Sequence, residues 1–223
     1  MTFVENVLSV WMLGLCALIS LLMLGLALWQ RPWQVLLEDS ALQHRLMAAT
    51  IGVMLIWQLR AQAVDWLSLH LMFTALMTLM FKAPLALCIN VAINLVMVLI
   101  GRTAWELLGV NVLISGVVPA MVMVLVWRLV DRYLPDNLAI FFFVCGFFGS
   151  AFATLACGLV TVAIVWLGAS DPQVWYVVQD YALFLPLLMP SEGFITGMLL
   201  SLLLVYHPHW VATFSSHRYI DTK

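Results

Sequence analysis

Charge is what this sequence has least of. Nine basic and eleven acidic side chains are spread over 223 residues, 9% of the chain against roughly 25% in an average soluble domain. With 65% of the residues apolar, there is too little polar surface to wrap a water-soluble core. Lipid is the solvent expected for most of the chain. The few charges nearly cancel, at −2, which leaves no basic face for a phosphate backbone and excludes nucleic acid as a partner. No polar stretch is long enough to build a separate soluble core, so residues 1–223 read as one polytopic membrane domain.

Cysteine pairing signals are absent as well. Cys16, Cys88, Cys145 and Cys157 each sit inside an apolar run with no CxxC and no adjacent histidine, so they read as small packing residues and not as a disulfide framework or a zinc site. Ahead of the first apolar run stands Glu5 and no Lys or Arg, unlike the basic start of a secretory signal. The first hydrophobic segment is expected to stay in the protein. HExxH, GxSxG and P-loop motifs are missing; Gly146-Phe-Phe-Gly-Ser150 lacks the glycine after serine that a rhomboid-type site needs. Haem needs paired histidines, and His70 has no intramembrane partner. The thirteen methionines form no MxxxM cluster. The expectation is a protein that is not an enzyme and carries no intrinsic cofactor.

What the chain does have is long apolar runs. A spanning helix needs about 20 residues, and seven segments qualify: Val7 to Trp29, Leu46 to Val64, Leu67 to Phe81, Leu85 to Gly101, Leu107 to Trp127, Leu138 to Gly168 and Ala182 to Tyr206. The second carries Arg60 near one end, and the third is short and follows it after only Asp65 and Trp66. Lys82-Ala-Pro84 ends the third, since proline resists helix continuation and lysine seeks the interface. The sixth would be about 46 Å long as one helix, and must tilt, bend or project. Cytoplasmic loops carry the excess of Lys and Arg. With the N-terminus outside, Arg31, Arg45, Lys82, Arg128, Arg132, Arg218 and Lys223 fall inside, leaving Arg60 and Arg102 outside. The expected fold class is therefore an all-α membrane protein with seven spans, N-terminus outside and C-terminus inside, multi-pass in the cell inner (plasma) membrane.

Polar side chains within spans are costly and point to function or to mutual satisfaction. His70 stands near the outer end of the third span, Asn111 near the outer end of the fifth, and Glu192 inside the seventh between Pro190 and Gly193. An imidazole is a common metal ligand. A carboxylate at an irregular helix turn faces protein or a watery cavity rather than lipid. His70 and Asn111 fall at similar depth, and are expected around one outward-opening pocket; Glu192 reads either as an anchor or as a pathway residue. Asn90 and Asn94, one turn apart in the fourth span, read as interhelical hydrogen-bonding residues. The small-residue face of the sixth span, Gly146 with Ser150 and Gly149 with Ala153, reads as close helix packing.

These landmarks, in order, resemble the CbiM/NikM family of integral-membrane permeases, the substrate-binding components of energy-coupling-factor transporters for cobalt and nickel. Leu67-Ser-Leu-His70-Leu-Met resembles the family's Ser-x-His segment, and Gly109-Val-Asn111-Val-Leu-Ile-Ser-Gly116-Val-Val-Pro119 its Gly-Val-Asn segment. Ser191-Glu192-Gly-Phe-Ile-Thr196-Gly197 is similar to the family's acidic residue followed by Thr-Gly, and Val205-Tyr-His-Pro208 to its closing proline. The resemblance covers roughly residues 45 to 210. It implies seven spans with an outside N-terminus, uptake of a transition-metal ion (Co or Ni) as substrate, and dependence on a transmembrane scaffold subunit and cytoplasmic ATPase subunits. It also implies ligands: the family begins Met-His, and its amino terminus, that histidine and the helical histidine enclose the metal. Here the chain begins Met1-Thr2-Phe3, so of the histidine ligands His70 alone carries over. The alternative is a non-transporting assembly or sensory subunit that retains the permease fold.

Overall fold

A computed structural model describes the chain except residues 170, 172 and 216–223 and the side chain of Ala63. Arg218 and Lys223, which the charge count placed inside, lie outside the described residues. Five helical segments are long and apolar enough to cross a membrane. They are α1 (Val10–Trp29), α4 (Thr74–Leu99), α5 (Trp105–Tyr133), α6 (Leu138–Gly168) and α7 (Gln173–Tyr206). Between α1 and α4 come two shorter helices, α2 (Pro32–Glu38) and α3 (Ser40–Ile56). Three short strands complete the chain: β1 (Thr2–Phe3), β2 (Ala61–Val64) and β3 (Leu67–Leu69), in the antiparallel order β1-β3-β2.

The sheet corrects the expected second and third spans. Residues 57–73, assigned to the ends of two helices, instead leave α3 at Ile56, run out along β2 and return along β3 before α4 begins at Thr74. Leu67-Ser-Leu-His-Leu71 alternates apolar and polar residues, a pattern that suits a strand, although here Leu67 and Ser68 are both buried, so neither face is open. Leu67 is fully buried there. Its cross-strand partner is Phe3, with Thr2 opposite Ser68.

Lys82 is the second special point. Its backbone adopts φ 64° and ψ 162°, a region that is essentially reserved for glycine, and Pro84 follows two residues later. Thr74 and Asn90 would stand about 24 Å apart on a straight helix, yet Thr74 Oγ1 and Asn90 Nδ2 are 3.5 Å apart. Residues 74–81 and 83–99 therefore fold back on each other as two arms joined at Lys82.

Contacts between termini and loops collect at two ends. At one end Val4 N–H donates to Trp66 O (2.9 Å), Ser9 N–H to Gly168 O (2.7 Å), and Arg60 reaches Arg102 O (3.4 Å). At the other, Ala212 and Thr213 N–H donate to Met80 and Leu79 carbonyls (3.1 and 3.2 Å), Trp127 donates to Thr213 O, and Arg45 reaches His209 O. The long α6 bends its backbone hydrogen bonding into a π stretch over Phe141–Phe148. It then packs closely on α7. A Cβ on Gly193 would meet Phe147 O at 2.8 Å and Ala151 Cβ at 3.1 Å, so only glycine admits this approach.

Candidate metal site

β1 lies across the top of the bundle, and its seat is made by Asn111. The Asn111 carboxamide accepts from Phe3 N–H (2.6 Å) and donates to Phe3 O (3.0 Å), a two-point clamp on one residue's backbone. All these groups are buried, so each bond removes a desolvation penalty. With β1 held this way, Thr2 projects toward the residues that follow β3, and its Oγ1 stands 3.2 Å from His70 Nε2. His70 Nδ1 is 3.3 Å from Leu71 O. Because a carbonyl only accepts, Nδ1 carries the proton in this arrangement and Nε2 takes the Thr2 hydroxyl hydrogen. The Trp57 ring covers one side of the imidazole, with centroids 4.2 Å apart.

Glu192 closes the opposite wall. Its two carboxylate oxygens accept from Met72 N–H (3.0 Å) and Phe73 N–H (2.7 Å). These donors open α4, at Phe73 in the left-handed region (φ 57°), so the carboxylate caps a helix start where backbone N–H groups lack internal partners. Met1 sits between the two walls. Its side chain is buried, and its thioether sulfur accepts from Tyr181 O–H (2.8 Å).

His70, Met1, Met72, Thr154 and Glu192 line a cavity of about 180 Å³. Asn111 is not on its wall; its amide is committed to Phe3. Burial, reinforced by the nearby Met1 amine, holds the His70 pKa well below the usual histidine range. Burial likewise lowers the Met1 amine to about 5. Both nitrogens are thus neutral near pH 7, the protonation state that coordination requires. Among the described residues, no three His, Cys, Asp or Glu side chains converge as a ready metal cluster.

Below the clamp a second buried polar group extends inward. Ser115 O, in the π turn Leu113–Val117, accepts from Thr74 Oγ1 (2.5 Å) and Asn90 Nδ2 (3.0 Å), while Ser115 Oγ donates to Asn111 O (2.7 Å). Asn94 Nδ2 lies within 3.2 Å of Ser115 Oγ and 3.0 Å of Asn90 Oδ1. Gly116 makes the approach of Asn90 possible, since any Cβ there would fall on the Asn90 carboxamide.

Residues 3–210 match the model of the CbiM family, described as the cobalt uptake substrate-specific transmembrane region. The chain belongs to the CbiM family. The match takes in the hairpin and every long segment, beginning at Phe3. No curated protein matches the chain in sequence. Among solved structures, one titled as the crystal structure of a truncated transition metal transporter superposes with a TM-score of 0.76. It covers 93% of this chain and 100% of the other at 15% identity, a likeness of fold. The CbiM assignment places this chain among multi-pass membrane proteins for metal uptake, and points to a transporter.

Three of the residues that matter here escaped the sequence reading. Thr2, Trp57 and Tyr181 act through positions far apart in the chain, and a two-residue strand has no pattern to detect. The alternation over residues 67–71 was an available signal for the strand beside Thr2, while His70 itself stood out as a polar residue in apolar surroundings.

Proposed function

We propose that this chain is the substrate-specific membrane component of a transition-metal uptake system, taking a Co²⁺- or Ni²⁺-like ion as substrate. The carrying observation is the cavity of about 180 Å³ that His70 enters as a neutral imidazole. Nε2 is the donor, released when the Thr2 hydroxyl turns away. Asn111 and Glu192 support the site: the first seats β1, the second fixes the chain leading into α4. In this reading the single domain spans the membrane seven times, counting the short α3, the second arm of α4, and the first arm together with the extended chain that leads into it. The N-terminus is outside, because Arg31, Arg45, Lys82, Arg128 and Arg132 fall at or near the end opposite β1. Transport is driven by a transmembrane scaffold subunit and cytoplasmic ATPases in the same inner membrane, since no P-loop exists in this chain.

One observation favours a second reading, a non-transporting assembly or sensory subunit. The His70 lone pair already receives a hydroxyl hydrogen from Thr2, and a single imidazole gives little selectivity among divalent ions. Metal content after equilibrium dialysis of the purified protein against Co²⁺ and Ni²⁺ separates the two. The transport reading expects stoichiometric ion in the wild type and at least a tenfold weaker affinity in His70→Ala. Equal binding by both removes His70 from the site. Absence of binding by either leaves the non-transporting reading.

A further inference from the structure

A groove of about 440 Å³ opens on the side of the bundle between the end of α1, α2, α3 and the second arm of α4. Its walls are apolar: Leu28, Trp33 and Leu36 at the end far from β1, then Met54 and Ala92 deeper in. The polar groups in it are spent, since Thr50 Oγ1 donates to Leu46 O (2.7 Å). The wall from Leu46 to Met54 rises about 12 Å at 1.5 Å per residue. One leaflet of a hydrocarbon core of about 30 Å is about 15 Å deep. The groove therefore runs nearly the depth of one leaflet and no farther.

Cations stand at its mouth. Arg31 directly precedes Pro32 of the groove wall, and Lys82, the joint between the arms of α4, lies three residues before Leu85 of the wall. Both are exposed, and neither takes part in an ion pair among the described residues. Arg45, beside Leu46, is paired with Asp39 at 3.4 Å. Glu38 is about 200° round α2 from the wall residue Leu36, so it lies off the groove side. Trp29 and Trp33 at this level fit the aromatic belt of a membrane interface.

We propose that the groove binds one acyl chain of an anionic phospholipid, with Arg31 and Lys82 receiving its phosphate. Length, apolarity and the two unpaired cations at the headgroup level select this occupant together.

The test uses the full chain in mild detergent, titrated with phosphatidylglycerol and phosphatidylcholine of identical chains and read by native mass spectrometry. The wild type should retain phosphatidylglycerol at about tenfold lower lipid concentration, as expected for two surface cations near one anionic headgroup. Arg31→Gln/Lys82→Gln, at exposed positions, should remove that preference, and Cys88→Trp should weaken retention of both lipids by filling the groove. A second readout does not need the packing variant to fold. Phosphatidylglycerol with brominated chains should quench the fluorescence difference between wild type and Trp33→Phe. Equal retention of the two lipids by wild type, an unchanged preference in the double variant, unquenched Trp33, or a polypeptide found covering Trp33 in the purified protein would each overturn the proposal.

Discussion

Single side chains in this protein do most of their work on backbone. Asn111 spends its whole carboxamide on Phe3, and Glu192 both oxygens on Met72 and Phe73. Asn111→Ala leaves a buried N–H and C=O without partners, at about 1–3 kcal/mol each. We expect its thermal midpoint in detergent to fall by roughly 5 °C or more, and, on the proposed function, metal binding to weaken because β1 no longer holds Met1 in the cavity wall. Glu192→Gln keeps one acceptor and turns an N–H₂ toward the second donor. It should destabilise more than Glu38→Gln, whose carboxylate is exposed, when both are compared in the same melt.

pH offers a separate check at this scale. His70 and the Met1 amine have folded-state pKa values below their ordinary ones, 6.5 and 8.0, the amine at about 5. Between folded and unfolded values the unfolded chain binds more protons, so stability rises with pH in that window. The stabilising neutral state is complete above about pH 8 and is lost as pH falls toward 5. Melting midpoints should climb from pH 5 to pH 8, and His70→Ala should flatten the part of the slope below pH 6.5. A midpoint that declines over this range contradicts the burial of both groups. His70, Asn111 and Glu192 were legible in the sequence because each is a polar side chain in apolar surroundings. Their duties were not, since a backbone amide is a partner that no residue type announces.

Among the elements, the long apolar runs were readable and the breaks between them only partly so. Val10–Trp29 and Leu138–Gly168 coincide closely with expected segments because hydropathy alone defines them. Residues 57–73 do not, because three strands of two to four residues carry less signal than the surrounding apolarity. Lys82-Ala-Pro84 marked a boundary between two spans, and so a reversal, but nothing in it specified that a lysine at φ 64° would make the turn. Lys82→Gly should relieve part of a strain of about 1–3 kcal/mol and raise the melting midpoint, whereas Gly116→Ala should lower it by pushing Asn90 off Ser115. If both glycine exchanges behave alike, the reversal at Lys82 is not a strained turn.

At the scale of the whole molecule, the two ends are chemically unlike. Arg60 and Arg102 meet beside the sheet, while Arg31, Arg45 and Lys82 gather at the opposite end. Single-cysteine labelling tests the orientation proposed from this asymmetry: Asp171→Cys should react with a membrane-impermeant reagent from outside, and Asp136→Cys only after permeabilisation. The reverse pattern at both sites inverts the molecule.

The clamp between Phe3 and Asn111 joins residues 108 positions apart, and this has a consequence in time. A ribosome adding about 5–20 residues per second delivers Asn111 roughly 5–20 s after Phe3. Over that interval the opening strand has no seat, although α1 behind it can already be in the bilayer. The first three residues therefore wait for half the chain before they find their place, and the cavity, which needs Glu192, waits for nearly all of it.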